Sequence, residues 1–176
     1  MLRKSPRESL VRAEIAFPEF VALIALMMAL TALSVDIMLP SLGEIGHSLQ
    51  IEAPNDRQLV ITFYLIGFSI GQFFFGPLSD RYGRRRPLFA GLLMYAGATL
   101  MAQYAQQAEM MFAARILQGL GAAAPRVIAT AIVRDRFAGR QMARVMSFVM
   151  MVFIVVPVLA PLTGQIVLDF GAWRSV

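Results

Sequence analysis

Cysteine is absent from the chain, which excludes disulfide cross-links, thiolate nucleophiles and cysteine-ligated metal. Histidine occurs once, as His47 in a polar connection, so no histidine and carboxylate cluster stands at metal-ligand spacing. No nucleophile–base pair and no phosphate-cradling loop is recognisable, and the chain does not read as an enzyme or as needing a bound cofactor. Charge is also scarce. Charged residues make up 15% of the 176 positions, against about 25% in a soluble domain.

What fills the chain instead is apolar: hydrophobic residues account for 58%, and the mean hydropathy is +0.65. A soluble fold of this length could not enclose so much apolar surface, so lipid is the expected solvent. A helix needs about 20 apolar residues to cross a hydrocarbon core about 30 Å thick. Five stretches approach or exceed that length: 20–42, 59–78, 88–104, 110–133 and 145–168. Each is expected to be a continuous helix, because lipid offers no partner to an exposed backbone or an open strand edge. The expected fold class is therefore an all-α, polytopic membrane helix bundle of about five transmembrane helices. Residues 1–19 form a polar tail and 20–176 the bundle. The first apolar run starts late, is long and carries Asp36, so it reads as a retained anchor rather than a cleaved leader.

The net charge of +5 matters less than its distribution. Four basic residues lie in the N-terminal tail (Arg3, Lys4, Arg7, Arg12), four after the second span (Arg81, Arg84, Arg85, Arg86) and four after the fourth (Arg134, Arg136, Arg140, Arg144). Only Arg57 and Arg174 fall on the other side. The positive-inside rule then places the tail and the even loops in the cytoplasm, with the chain in the cell (inner) membrane. Flanked by spans, the arginine clusters read as topology signals and not as a nucleic-acid surface.

The remaining basic residues, Arg115 and Arg126, fall inside the fourth span, and Asp36 falls inside the first. A charge within a span costs about 2.5–3.5 kcal/mol on insertion scales and is a functional hypothesis by default. Asp36 and Arg115 are expected at similar depth, where they could pair or share water. Arg115, Gln118, Gly119, Ala122 and Arg126 recur at helical spacing, so they form one stripe that should face a neighbouring helix or a wet cavity. In the second span Gly67 and Gly71 stand at GxxxG spacing for close packing. In the fifth, Pro157, Pro161 and Gly164 should bend or loosen the helix. Met27, Met28 and Met38 could give the first span an adaptable apolar surface.

The loop after the second span reads GPLSDRYGRRRPL, from Gly76 to Leu88. Its ordered pattern is more specific than a positive loop requires and resembles the signature loop of the major facilitator superfamily of secondary transporters. The matching positions are Gly76, Leu78, Asp80, Arg81, Gly83, Arg84 and Arg85. That resemblance implies a cytoplasmic gate, in which the carboxylate and its arginines help hold the two halves closed. RILQGLG in the fourth span resembles the family's R-x-x-Q-G-x-G motif through Arg115, Gln118, Gly119 and Gly121. PVLAPLTGQI in the fifth resembles the antiporter motif, with Val156 where a glycine is usual.

SVDIMLPSL and the ending GAWRS resemble the Bcr/CflA drug-efflux group of that superfamily. The group implies a protein of two six-helix halves, of which this chain is most of the first. The family's first and fourth helices line the central cavity. The expectation is proton-coupled efflux of drugs or other small amphipathic molecules by alternating access, powered by the proton gradient. Asp36 and Arg115 would couple to protons, Gln118, Gly119 and Arg126 would line the cavity, and no metal is involved. The partners implied are a small-molecule substrate, protons, the lipid bilayer and a second half of the protein. Two other readings stay open: the same fold carrying one metabolite, such as a sugar, organic acid or siderophore, and a non-transporting membrane scaffold or sensor.

Overall fold

A computed structural model describes residues 16–170, apart from positions 52 and 54, with side chains described as far as residue 166. Helix α1 spans Phe17–Asp36 and is almost wholly apolar, with a proline in its first turn where a missing N–H costs nothing. It does not run on to residue 42 as expected. A 3-10 turn at Leu39–Ser41 separates it from the short helix α2, Leu42–Ser48. Pro40 supplies the reason. It has no N–H to give the carbonyl four residues back, that of Asp36, its ring crowds that carbonyl, and it disfavours helical geometry at Leu39. Asp36 is therefore the last residue of α1, at a break, rather than a position within an unbroken helix.

Helix α3 spans Leu59–Tyr82 and stops at Gly83, whose φ of +79° is left-handed territory that favours glycine. Helix α4, Arg85–Gln103, opens on two arginines. Helices α5, Ala108–Arg136, and α6, Gly139–Phe170, follow with 29 and 32 residues. By length and composition four segments can cross a membrane: Phe17–Ser48, Asp56–Tyr82, Ala108–Arg136 and Gly139–Ile166. Helix α4, with 19 residues, is not among these four. Among the described residues there is no strand. The fold is a polytopic membrane helix bundle.

Helix α5 is the centre of this bundle. It packs along α3 and α4 and more lightly on α1, while α6 lies chiefly along α1. Accordingly 61% of the apolar window of α5 is buried, against 28% for α3 and 17% for α6. Lipid gives helices no hydrophobic reason to associate, so small residues and close contact must supply the attraction. Here they do. A Cβ added at Gly119 would overlap the Tyr64 carbonyl of α3, and one added at Gly67 would overlap the Ile116 carbonyl of α5. The GxxxG pair of α3 thus faces α5. The prolines of α6 leave the carbonyls of Phe153 and Pro157 without their usual donors, yet the helix is continuous through both. Gly164 rests against the Ile37 carbonyl, so α6 is seated on the break after α1.

Candidate functional site

Two polar sites interrupt the apolar bundle, one inside it and one at its arginine-rich end. The inner site is built on α5. Arg115 is 7% exposed and Gln118 5%, and the Arg115 Nη1 donates to Gln118 Oε1 at 2.7 Å. Gln118 Nε2 passes the chain on to Thr99 Oγ1 of α4 at 2.9 Å. Thr99 in turn donates to the Tyr95 carbonyl at 2.9 Å. The Tyr95 hydroxyl and Ser34 Oγ of α1 share a bond of 2.7 Å. One network therefore ties α5 to α4 and α4 to α1. Thr99, Tyr95 and Ser34 carried no recognisable signal in the sequence, since isolated hydroxyls in apolar spans more often bond their own helix.

The Arg115 guanidinium also contacts the sulfur of Met38, just beyond the α1 break. Its Nε has no partner, and the buried hydroxyls of Tyr64 and Thr31 likewise have none. No carboxylate pairs with Arg115 among the described residues. Asp36 stands half-buried at the end of α1 and makes no ion pair among the described residues. Of the two arrangements open to Asp36 and Arg115, pairing or sharing water, the ion pair is not formed in this structure. Met38 occupies the guanidinium instead. An uncompensated buried charge is costly, which makes Arg115 an unusual thing for a bundle to keep.

Gly119 and Ala122 of the same stripe are buried against neighbouring helices. Arg126 is half-exposed, with its guanidinium 5.8 Å from the Phe153 ring of α6. Among the three methionines, Met28 is 2% and Met38 6% exposed, so neither presents an adaptable open surface. Met27 is half-buried and packs against the core.

At the arginine-rich end, Arg84 joins three helices. Its Nη1 donates to Asp80 Oδ1 and to Ser79 Oγ, both at 2.6 Å. Its Nε and Nη2 meet the two oxygens of Asp135, at the end of α5, at 2.9 and 3.2 Å. Burial alone would lower the Arg84 pKa, but the hydrogen bonds to Asp80 and Asp135 outweigh it and raise the pKa above the ordinary arginine value. The sequence placed Arg81 and Arg85 in this network as well. Arg81 instead lies 5.4 Å from the Tyr82 ring, and neither it nor Arg85 pairs with a carboxylate among the described residues. Gly83 ends α3 in left-handed geometry, and Arg84 beyond it is turned back onto Asp80. Asp135 went unnoticed because it lies 51 residues from Arg84, although a lone carboxylate among Arg134 and Arg136 was there to be seen.

An open pocket of about 440 Å³ adjoins this network between α3 and α5, with Gln72, Asp80, Arg84, Arg126, Thr130 and Arg134 in its lining. A second, of about 760 Å³, opens at the opposite end beside Asp56 and Glu109.

Comparison with known proteins bears on what such a bundle is. The chain is 37% identical over 156 residues to the uncharacterized MFS-type transporter YdgK of Bacillus subtilis, covering 88% of this chain and 39% of that protein. It is 31% identical over 157 residues to a bicyclomycin resistance protein homolog of Haemophilus influenzae, with 89% and 39% covered. Against a chloramphenicol resistance protein of Pseudomonas aeruginosa the identity is 37% over 148 residues, with 84% and 35% covered. The chain thus spans about two fifths of the length of these relatives. A family model described as the Major Facilitator Superfamily matches residues 21–176, nearly all of the bundle, and the chain belongs to that superfamily.

Proposed function

We propose that this chain forms the N-terminal part of a proton-coupled exporter of drugs or other small amphipathic molecules, working by alternating access. The observation that carries the reading is Arg115: a guanidinium buried among lipid-soluble helices, held by Gln118 and lacking a carboxylate. Asp36 ends α1 at the break beside it, with no ion pair among the described residues. The two define a site whose charge balance changes with one proton. With Asp36 protonated, the neutral carboxyl leaves the guanidinium to its amide and thioether contacts. With Asp36 ionised, the attraction between the charges favours drawing them together. The α1 break and the prolines of α6, seated on it through Gly164, are the elements able to absorb that movement.

At the other end, Arg84 holds α3, α4 and α5 together through Asp80, Ser79 and Asp135. In this reading it stabilises one of the two access states. The excess of arginines at that end supports a cytoplasmic location for it and for the N-terminus, in a cell membrane. Relatives named for resistance to bicyclomycin, chloramphenicol and multiple drugs support export over uptake of one metabolite. The energy source is the proton gradient, with no bound cofactor.

The test is transport by the full-length protein in vesicles carrying an imposed pH gradient. Asp36→Asn removes the exchangeable proton and should abolish gradient-driven efflux while leaving expression and drug binding intact. Undiminished coupling in that variant would remove Asp36 from the mechanism.

A further inference from the structure

Arg126 is left without a role by the scheme above. It sits on the face of α5 that also carries Thr130 and Arg134, four and eight residues on, and all three border the pocket between α3 and α5. The charges lining that pocket do not cancel. Arg84 is matched by Asp80 and Asp135, whereas Arg126 and Arg134 have no carboxylate partner among the described residues. The Arg126 guanidinium lies 5.8 Å from the Phe153 ring.

We infer that Arg126 is a specificity-determining residue that binds the anionic group of an amphipathic cargo, a carboxylate or phosphate, in the pocket between α3 and α5. A guanidinium presents a planar fork of donors that matches either group. Thr130 and Gln72 border the same space and can complete its hydrogen bonding. The inference rests on the exporter reading and narrows its substrates to molecules pairing an apolar body with negative charge.

Depth separates cargo from lipid as the source of that anion. Arg126 is four residues from Ala122, the middle of the 29-residue α5, or about 6 Å along the axis. With α5 centred in a core about 30 Å thick, headgroups begin about 15 Å from the midplane, leaving a gap of about 9 Å. The contact with Phe153 keeps the guanidinium within the bundle rather than extended toward the surface. A phospholipid headgroup does not reach it, but a mobile cargo does.

The experiment measures transport of two dyes by the full-length protein in proteoliposomes: carboxyfluorescein, which is anionic, and ethidium, which is cationic. Loss of one charge-assisted contact predicts that Arg126→Gln raises KM for carboxyfluorescein about tenfold or more, with ethidium transport unchanged. Arg126→Lys keeps the charge without the fork and should raise the same KM a few-fold, which also covers poor assembly of the Gln variant. Equal loss for both dyes, or wild-type transport of ethidium without carboxyfluorescein, overturns the inference and leaves the exporter standing. A carboxyfluorescein defect seen only in vesicles containing phosphatidylglycerol overturns it in favour of a headgroup site. Transport of neither dye by the wild type overturns the inference and the exporter reading together.

Discussion

Replacing Gly119 by alanine tests the packing on which the inner site depends. In an isolated helix the change is favourable by about 0.5–1 kcal/mol, because alanine loses less backbone entropy than glycine. In α5 the new methyl would overlap the Tyr64 carbonyl and crowd the Phe68 amide of α3. Those are backbone atoms in a continuous helix, so relief requires α3 and α5 to move apart. Overpacking of this kind costs about 1–3 kcal/mol, and the immovable partner puts Gly119 at the upper end. The net expectation is a loss of about 2–2.5 kcal/mol after the propensity gain is subtracted. Gly97 in α4 is the internal control: it also lies within a helix, but nothing stands within 4 Å of an added Cβ. Gly97→Ala should leave stability unchanged or raise it by up to about 1 kcal/mol. Both variants are to be compared with wild type by reversible unfolding in mixed micelles. A Gly119→Ala protein as stable as Gly97→Ala would refute the close approach of α3 and α5.

Other perturbations address the ends of the bundle. Arg84→Gln removes both ion pairs while Arg81→Gln removes none. The first should therefore increase labelling of a cysteine placed at Thr130 several-fold and the second should not; this chain contributes no other cysteine to the readout. Asp135→Asn should reproduce much of the Arg84→Gln effect, and a silent Asp135→Asn would show that Asp80 alone secures Arg84. Arg115→Leu should disturb the Gln118 and Thr99 network yet cost little stability, since an apolar replacement also removes an uncompensated charge. A fall in unfolding free energy above about 3 kcal/mol would show that the charge is compensated in a way the two contacts of Arg115 do not reveal. Single cysteines at Gly43 and Arg140 should react with an impermeant reagent from opposite sides of the membrane, and labelling from the same side would refute the topology.

Much of this arrangement was legible before any coordinates. The apolar runs marked the long helices, and the pairing of Gly67 with Gly71 marked a close interface. Of the stripe that spacing marked on α5, Arg115, Gln118, Gly119 and Ala122 are buried and Arg126 is half-exposed. The failures share a different character. Pro40 stood in plain view, but the hydropathy around it favoured a longer helix, and backbone chemistry won over hydropathy. Asp36 and Arg115 were expected at similar depth, where they could pair or share water, and they form no ion pair. Depth says nothing about rotation around the helix axis or about what else, here Met38, occupies the space.

Where the chain crosses lipid, and which loops share a side, are decided by solvation of short segments, and each segment carries that information in its own composition. Partnership across the bundle is not local. That Arg84 reaches Asp135, that Gln118 reaches Thr99 and that Arg115 is left without a carboxylate depend on the relative rotation and crossing of whole helices. Those are set by backbone contacts at a few glycines and no property of a single span encodes them.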